Sequence, residues 1–178
     1  MTVLPIIIAP DPILKTKAMP VQTVDSEISQ LMKDMLETMY LAPGIGLAAT
    51  QVGVLKRVVV IDISKKDQFN DPICMANPEI IWSSEEEVTR EEGCLSLPEQ
   101  YSEITRPDRI KIRYIDENNE KVVREASGLL ATCIQHELDH LQGILFIDHL
   151  SSLKRNIILR RLKKLKKING NNEVNKSH

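Results

Sequence analysis

The sequence predicts a single-domain α+β protein, with antiparallel or mixed strands around a buried helix and a further helix at each end. Three observations point there. Residues 127–143 form an apolar helical stretch with almost no polar face, 57–63 and 109–123 carry β-branched or alternating runs, and both flanks, 26–41 and 152–168, show helical spacing. At 178 residues the chain fits one domain and can bury a core without disulfides.

Taken in order, residues 1–24 are rich in Pro and read as an extended lead-in carrying Pro10, Asp11 and Pro12. From Ser26 to Leu41, Ile28, Leu31, Met32, Met35, Leu36 and Met39 recur at helical spacing, with Asp25 as N-cap and Pro43-Gly44 as the stop. The stretch 44–53 packs glycines and alanines around one polar amide, Gln51, a composition that lets backbone approach a ligand or forms a flexible loop. Arg57–Ile63 is a strand, and 77–83 and 87–90 are weaker strand candidates. Arg109–Ile115 alternates polar and apolar and turns through Glu117, Asn118 and Asn119 into 121–123, which is a hairpin. The central helix starts at Ser127 as N-cap and ends at Gly143. A last helix, 152–168, keeps Leu153, Ile157, Leu162, Leu165 and Ile168 apolar, and the polar tail beyond Gly170 is frayed.

The central helix carries the chemistry. His136 and His140 stand four residues apart, so their imidazoles project from one helix face and can grip one ion, while Glu137 points past the ion and suits a general base acting on water. Two surface histidines and a solvated acid are the plain alternative, but the flanking Leu129, Leu130, Ala131, Cys133, Ile134, Leu138 and Leu141 place the pair in a buried helix, where it needs a partner.

Two histidines leave a catalytic metal one protein ligand short. A metzincin protease would place its third His at position 146, which is Phe146 here. The only Glu after His140 is Glu173 in the tail, and His149 lies past the helix end. Upstream, Cys94 sits in a glycine-marked turn after a strand and is the best candidate; its other reading is a small buried hydrophobe, as for Cys74 and Cys133.

At these residues the chain resembles the peptide deformylase family: 44–51 (GIGLAATQ), 92–96 (EGCLS) and 135–140 (QHELDH) match its three motifs in order, and the likeness covers most of residues 5–150. The resemblance implies hydrolysis of the N-formyl group from the initiator methionine of nascent peptides, with release of formate. It implies one divalent metal on Cys94, His136 and His140, usually Fe2+, with Zn2+, Ni2+ or Co2+ able to substitute. Glu137 would act as general base and then acid, and the Gln51 amide and Leu95 N–H would stabilise the oxyanion. Ile45, Leu129 and Cys133 would line the methionine pocket, Gly46 would give a backbone contact, and Glu92 with Arg106 would form an ion pair behind the Cys94 turn. Tyr101 and Thr132 depart from bacterial patterns, which carry an arginine and an aliphatic residue there, and both touch substrate preference. A zinc endopeptidase and an inactive metal-holding RNA-binding module are the competing readings.

Charge divides the chain. Residues 151–178 hold nine Lys/Arg against Glu173 alone, while the net charge is -2, so residues 1–150 are acidic. Residues 1–150 therefore read as the catalytic part, and 151–178 as a basic helix and tail of the same domain that the family resemblance connects to ribosome docking. Aromatics at 3% leave no base-stacking platform, three widely spaced cysteines argue for a reducing compartment, and no segment approaches the ~20 apolar residues of a membrane span. The expected location is the cytoplasm.

Overall fold

The computed structural model describes residues 2–64 and 70–174, with side chains through residue 168. Helix α1 (Ser26–Leu41) is followed by strands β1 (Gly46–Ala48), β2 (Val58–Ile61), β3 (Ile73–Ser83), β4 (Glu87–Cys94), β5 (Leu97–Pro107), β6 (Arg109–Ile115) and β7 (Lys121–Ser127), then helices α2 (Gly128–Leu141) and α3 (Ser152–Val174). Short 3-10 turns occupy Pro12–Lys15, Ala49–Val52 and Phe146–His149.

All strand pairs are antiparallel, in a five-stranded sheet of order β1-β2-β3-β6-β7 and a separate β4-β5 hairpin. The β2 run Val58-Val59-Val60-Ile61 is buried at every position because both faces of the sheet are covered. Val59 and Ile61 pack with Met75, Ile110, Ile112 and the α2 residues Ala131, Cys133 and Ile134; Val58 and Val60 face the α1 residues Ile28, Met32, Met35 and Met39. The methionine row is thus core. A third cluster, built from Leu14, Leu97, Ile104, Phe146, Ile158 and Leu162, ties the β4-β5 hairpin to α3.

The caps explain the helix ends. Asp25 accepts from the Ile28 amide at 2.9 Å. Ser127 occupies the N-cap of α2 without a side-chain capping bond, and Gly143, at φ 75°, terminates that helix just past Gln142.

Several expectations need correcting. The stretch 44–53 is ordered as β1 and a 3-10 turn rather than a loop, because its glycines and alanines fit between β2 and α2. Strand β3 starts at Ile73 and β4 extends to Cys94, so both candidates were drawn short. Strand β5 carried no strand signal, since its apolar alternation is interrupted and prolines stand near both ends, yet pairing along β4 fixes it. Helix α3 continues to Val174 rather than fraying at Gly170, and residues 175–178 lie outside the described set. Its buried stripe is Ile158 and Leu162, whereas Leu153, Ile157 and Ile168 are exposed.

Candidate metal centre and active-site cavity

Helix α2 is pressed against the sheet by its apolar face, which buries His136 and His140 and stacks them one turn apart. Cys94 reaches them from the β4-β5 turn, where the register shifts between Gly93 and Cys94. Such an irregularity re-aims a side chain that regular pairing would direct elsewhere.

The ligand atoms of Cys94, His136 and His140 all lie within 4.8 Å of one another. The two Nε2 atoms are 3.3 Å apart, and Cys94 Sγ is 3.2 Å from His140 Nε2. A tetrahedral ion with metal–nitrogen bonds of about 2.05 Å separates its nitrogen ligands by about 3.3 Å, so the imidazole pair stands at the edge length of such a site. Burial pushes His136 down, but hydrogen bonding with Cys94 and Glu92 outweighs it and its net shift is well upward; His140 is driven well down by burial and then by the charge on His136. One thiol and two imidazoles fit a divalent first-row ion.

Behind this triad runs a hydrogen-bonded chain. His136 Nδ1 donates to Glu92 Oε2 at 2.9 Å, leaving Nε2 to face the other ligands. Arg106 donates to both Glu92 oxygens, at 2.6 and 3.0 Å, and to Asp139 Oδ2 at 2.9 Å, which also accepts from His149 Nε2 at 2.8 Å. Burial alone would raise the Glu92 carboxyl, but the bonds from His136 and Arg106 hold it at about 2. His149 is therefore an outer link of this chain, not a third ligand.

Glu137 is 4% exposed, and burial pushes its carboxyl up to about 7. Its Oε2 and Nδ1 of His140 are buried without a hydrogen-bond partner among the described residues. Gln51 is fixed at both ends of its amide: Oε1 accepts from the Ala48 N–H at 2.9 Å, and Nε2 donates to Ser96 Oγ at 3.1 Å and lies 3.5 Å from Cys94 Sγ.

A cavity of about 440 Å³ opens over this group. Gln51, Glu92, Cys94, Leu95, His136 and Glu137 line it together with Ile45, Gly46, Leu129 and Cys133. His140, at 1% exposure, and Arg106, at 6%, lie behind the wall. Tyr101 and Thr132 also line it. Ser96, which orients Gln51, and Asp139, which joins Arg106 to His149, lie inside the motifs quoted above, but neither was assigned a role from the sequence. Asp139 follows His136 by three positions, so helix geometry could have marked it as a neighbour.

The polypeptide deformylase family profile matches residues 3–156. A peptide deformylase of Methylocella silvestris is 56% identical over 167 residues, covering 92% of this chain and 85% of that protein. One from Rhizobium meliloti is 51% identical, covering 96% of this chain and 98% of that protein. The crystal structure of peptide deformylase from Ehrlichia chaffeensis superposes with a TM-score of 0.90 at 39% identity, covering 94% of this chain and 99% of that one. With the family profile spanning residues 3–156 and the likeness holding in both sequence and fold, the chain belongs to the polypeptide deformylase family of metal-dependent hydrolases.

Proposed function

We propose that this chain removes the N-formyl group from the initiator methionine of nascent polypeptides, releasing formate, and that Cys94, His136 and His140 hold the metal. The observation that carries this is the convergence of those three side chains beside buried Glu137 in the wall of one cavity. When bound, a divalent ion supplies Lewis-acid polarisation of the formyl oxygen and lowers the pKa of a water to the neutral range. Glu137 takes that water's proton on its carboxylate and returns it to the leaving amine nitrogen. A group held near neutrality by burial can do both, and the ion's charge favours its ionised form at the start.

Gln51 Nε2 and the Leu95 N–H donate to the oxygen on which negative charge grows. The anchoring of Gln51 on Ala48 and Ser96 means that little reorganisation is needed, and one such donor is worth about 3 kcal/mol of barrier. Ile45, Leu129 and Cys133 receive the methionine side chain, and Gly46 offers its backbone to the peptide. Glu92 and Arg106 orient His136 from behind.

Fe2+ is the proposed native ion, by resemblance to the family; the donor set itself accepts Zn2+, Ni2+ or Co2+. The proposed compartment is the cytoplasm, where formylated chains are made. Among the described residues no helix is long and apolar enough to cross a membrane. Docking on the ribosome is proposed for α3, whose Arg160, Lys163, Lys164 and Lys167 are exposed along one face with no acid among them. Because Ile158 and Leu162 belong to the core, charge reversal at these cations tests docking more cleanly than truncation after Leu150.

The deciding experiment is formate release from a formyl-methionyl peptide by anaerobically purified protein, with metal content measured on the same sample. Formate in proportion to bound metal supports the proposal. Cleavage of internal peptide bonds without formate release would make the chain an endopeptidase instead.

A further inference from the structure

Beyond the active-site cavity, a second cavity of about 350 Å³ lies between the start of β5 and α3. It is lined by Glu99, Gln100, Tyr101 and Ser102 on one side and by Lys154, Ile157, Ile158 and Arg161 on the other. Two of these, Glu99 and Tyr101, also line the active-site cavity, so the two spaces adjoin at these residues. Register places Tyr101 opposite Gly93, one residue from Cys94, and its ring lies against Gly93. Tyr101 thus stands on the edge that the two cavities share.

The α3 wall is built by helical spacing. Positions 154, 157, 158 and 161 form a single stripe, i, i+3, i+4 and i+7, with Ile158 buried, Ile157 at 40% exposure and a cation at each end. Lys154 and Arg161 are exposed and make no ion pair among the described residues, and neither does Glu99, the one acid in the lining. Two free cations face one carboxylate over a partly apolar floor. Such a surface complements an extended segment with acidic and apolar side chains.

We propose that the groove between β5 and α3 is an extension of the substrate channel, which takes nascent-chain residues downstream of the formyl-methionine and favours acidic side chains there. The occupant is the substrate itself, because the groove adjoins, through Glu99 and Tyr101, the cavity proposed to hold its first residue. This rests on the deformylase function proposed above. The cations concerned lie on a different stripe of α3 from Arg160, Lys163, Lys164 and Lys167, so groove binding and ribosome docking are separable by substitution.

The test measures formate release from a formyl-Met-Ala reference and from two hexapeptides bearing Asp or Lys at positions 3 to 6. Holoenzyme, Lys154→Glu, Arg161→Glu and the double variant are compared. The quantity read is the ratio of kcat/KM for each hexapeptide to that for the short reference in the same enzyme, so a general change in activity cancels. The acidic hexapeptide should exceed the basic one by about fivefold at low salt, mainly through KM, as expected for two exposed charge contacts. The preference should shrink at high salt and reverse in the double variant. Equal ratios for the two hexapeptides, or a preference that survives in the double variant, would overturn the groove while leaving the deformylase function standing. No formate from the short reference would overturn that function and the groove with it.

Discussion

Gly46→Ala tests how closely β1 and α2 define the position of Glu137, the proposed general base. A Cβ built on Gly46 would lie 2.4 Å from Glu137 Oε1, 3.0 Å from its Cδ and 2.8 Å from Cys133 Sγ. The carboxylate contact is about 1 Å short of van der Waals distance. Strand β1 cannot retreat freely, because it pairs with β2 through Gly46↔Ile61 and is buried throughout. The carboxylate must therefore move, and a displacement of about 1 Å at a reacting group costs on the order of 10²-fold in rate. Overpacking should add about 1–3 kcal/mol of destabilisation. The three atoms nearest the new methyl group belong to Glu137 and Cys133, not to the proposed metal ligands. Steady-state kcat on a formyl-methionyl peptide, metal content by elemental analysis and Tm on one preparation measure all three effects. A kcat within threefold of the parent's, at equal metal content, would refute the tight approach of Gly46 to Glu137.

Thr132 Oγ1 is buried without a hydrogen-bond partner among the described residues, so Thr132→Val should leave stability unchanged or raise it by about 1 kcal/mol; a Tm lowered by several degrees would show that the hydroxyl has a partner. The upward-shifted Glu137 must be ionised to accept a proton, so kcat/KM should fall as pH drops through an inflection at or below about 7, because the ion's positive charge lowers the value that burial raises. An unchanged profile in Glu137→Asp, whose carboxylate is differently placed, would assign that inflection elsewhere. Glu92 has a folded pKa of about 2, below its unfolded value. It therefore contributes stability that is complete above about 4.5 and is lost as pH falls towards 2, on the order of 3 kcal/mol. Denaturant titrations of metal-stripped protein should show Glu92→Gln markedly less stable than the parent at pH 7, with the gap about halved near pH 3 and nearly closed only near pH 2; a constant gap would remove Glu92 from the acid response.

The residues proposed to do the chemistry were legible because their spacing on a helix is itself geometry. His136, Glu137 and His140 needed only a 3.6-residue turn, and the apolar residues around them announced burial. Cys94 was harder, since its approach depends on a register shift in β4-β5 that no local pattern encodes; motif resemblance supplied it. Strand β5 was missed because pairing with β4, rather than its own apolar alternation, defines it. The 44–53 stretch was ambiguous for a related reason. Small residues are compatible with a loose loop and with close packing, and only the neighbouring α2 decides between them. In α3 the period was visible but not its phase, because Leu153 and Ile157 look as apolar as Ile158 and Leu162 until the third core cluster selects the latter pair.

The central proposal is that Cys94, His136 and His140 hold an ion on which Glu137 works as the base without ligating it. Metal content and formate release measured together on Glu137→Gln and Cys94→Ala test it most directly. Glu137→Gln should retain metal at the parent's stoichiometry and lose turnover by a factor on the order of 10²–10⁴, while Cys94→Ala should lose the metal. Turnover retained by Glu137→Gln, or full metal occupancy in Cys94→Ala, would contradict it.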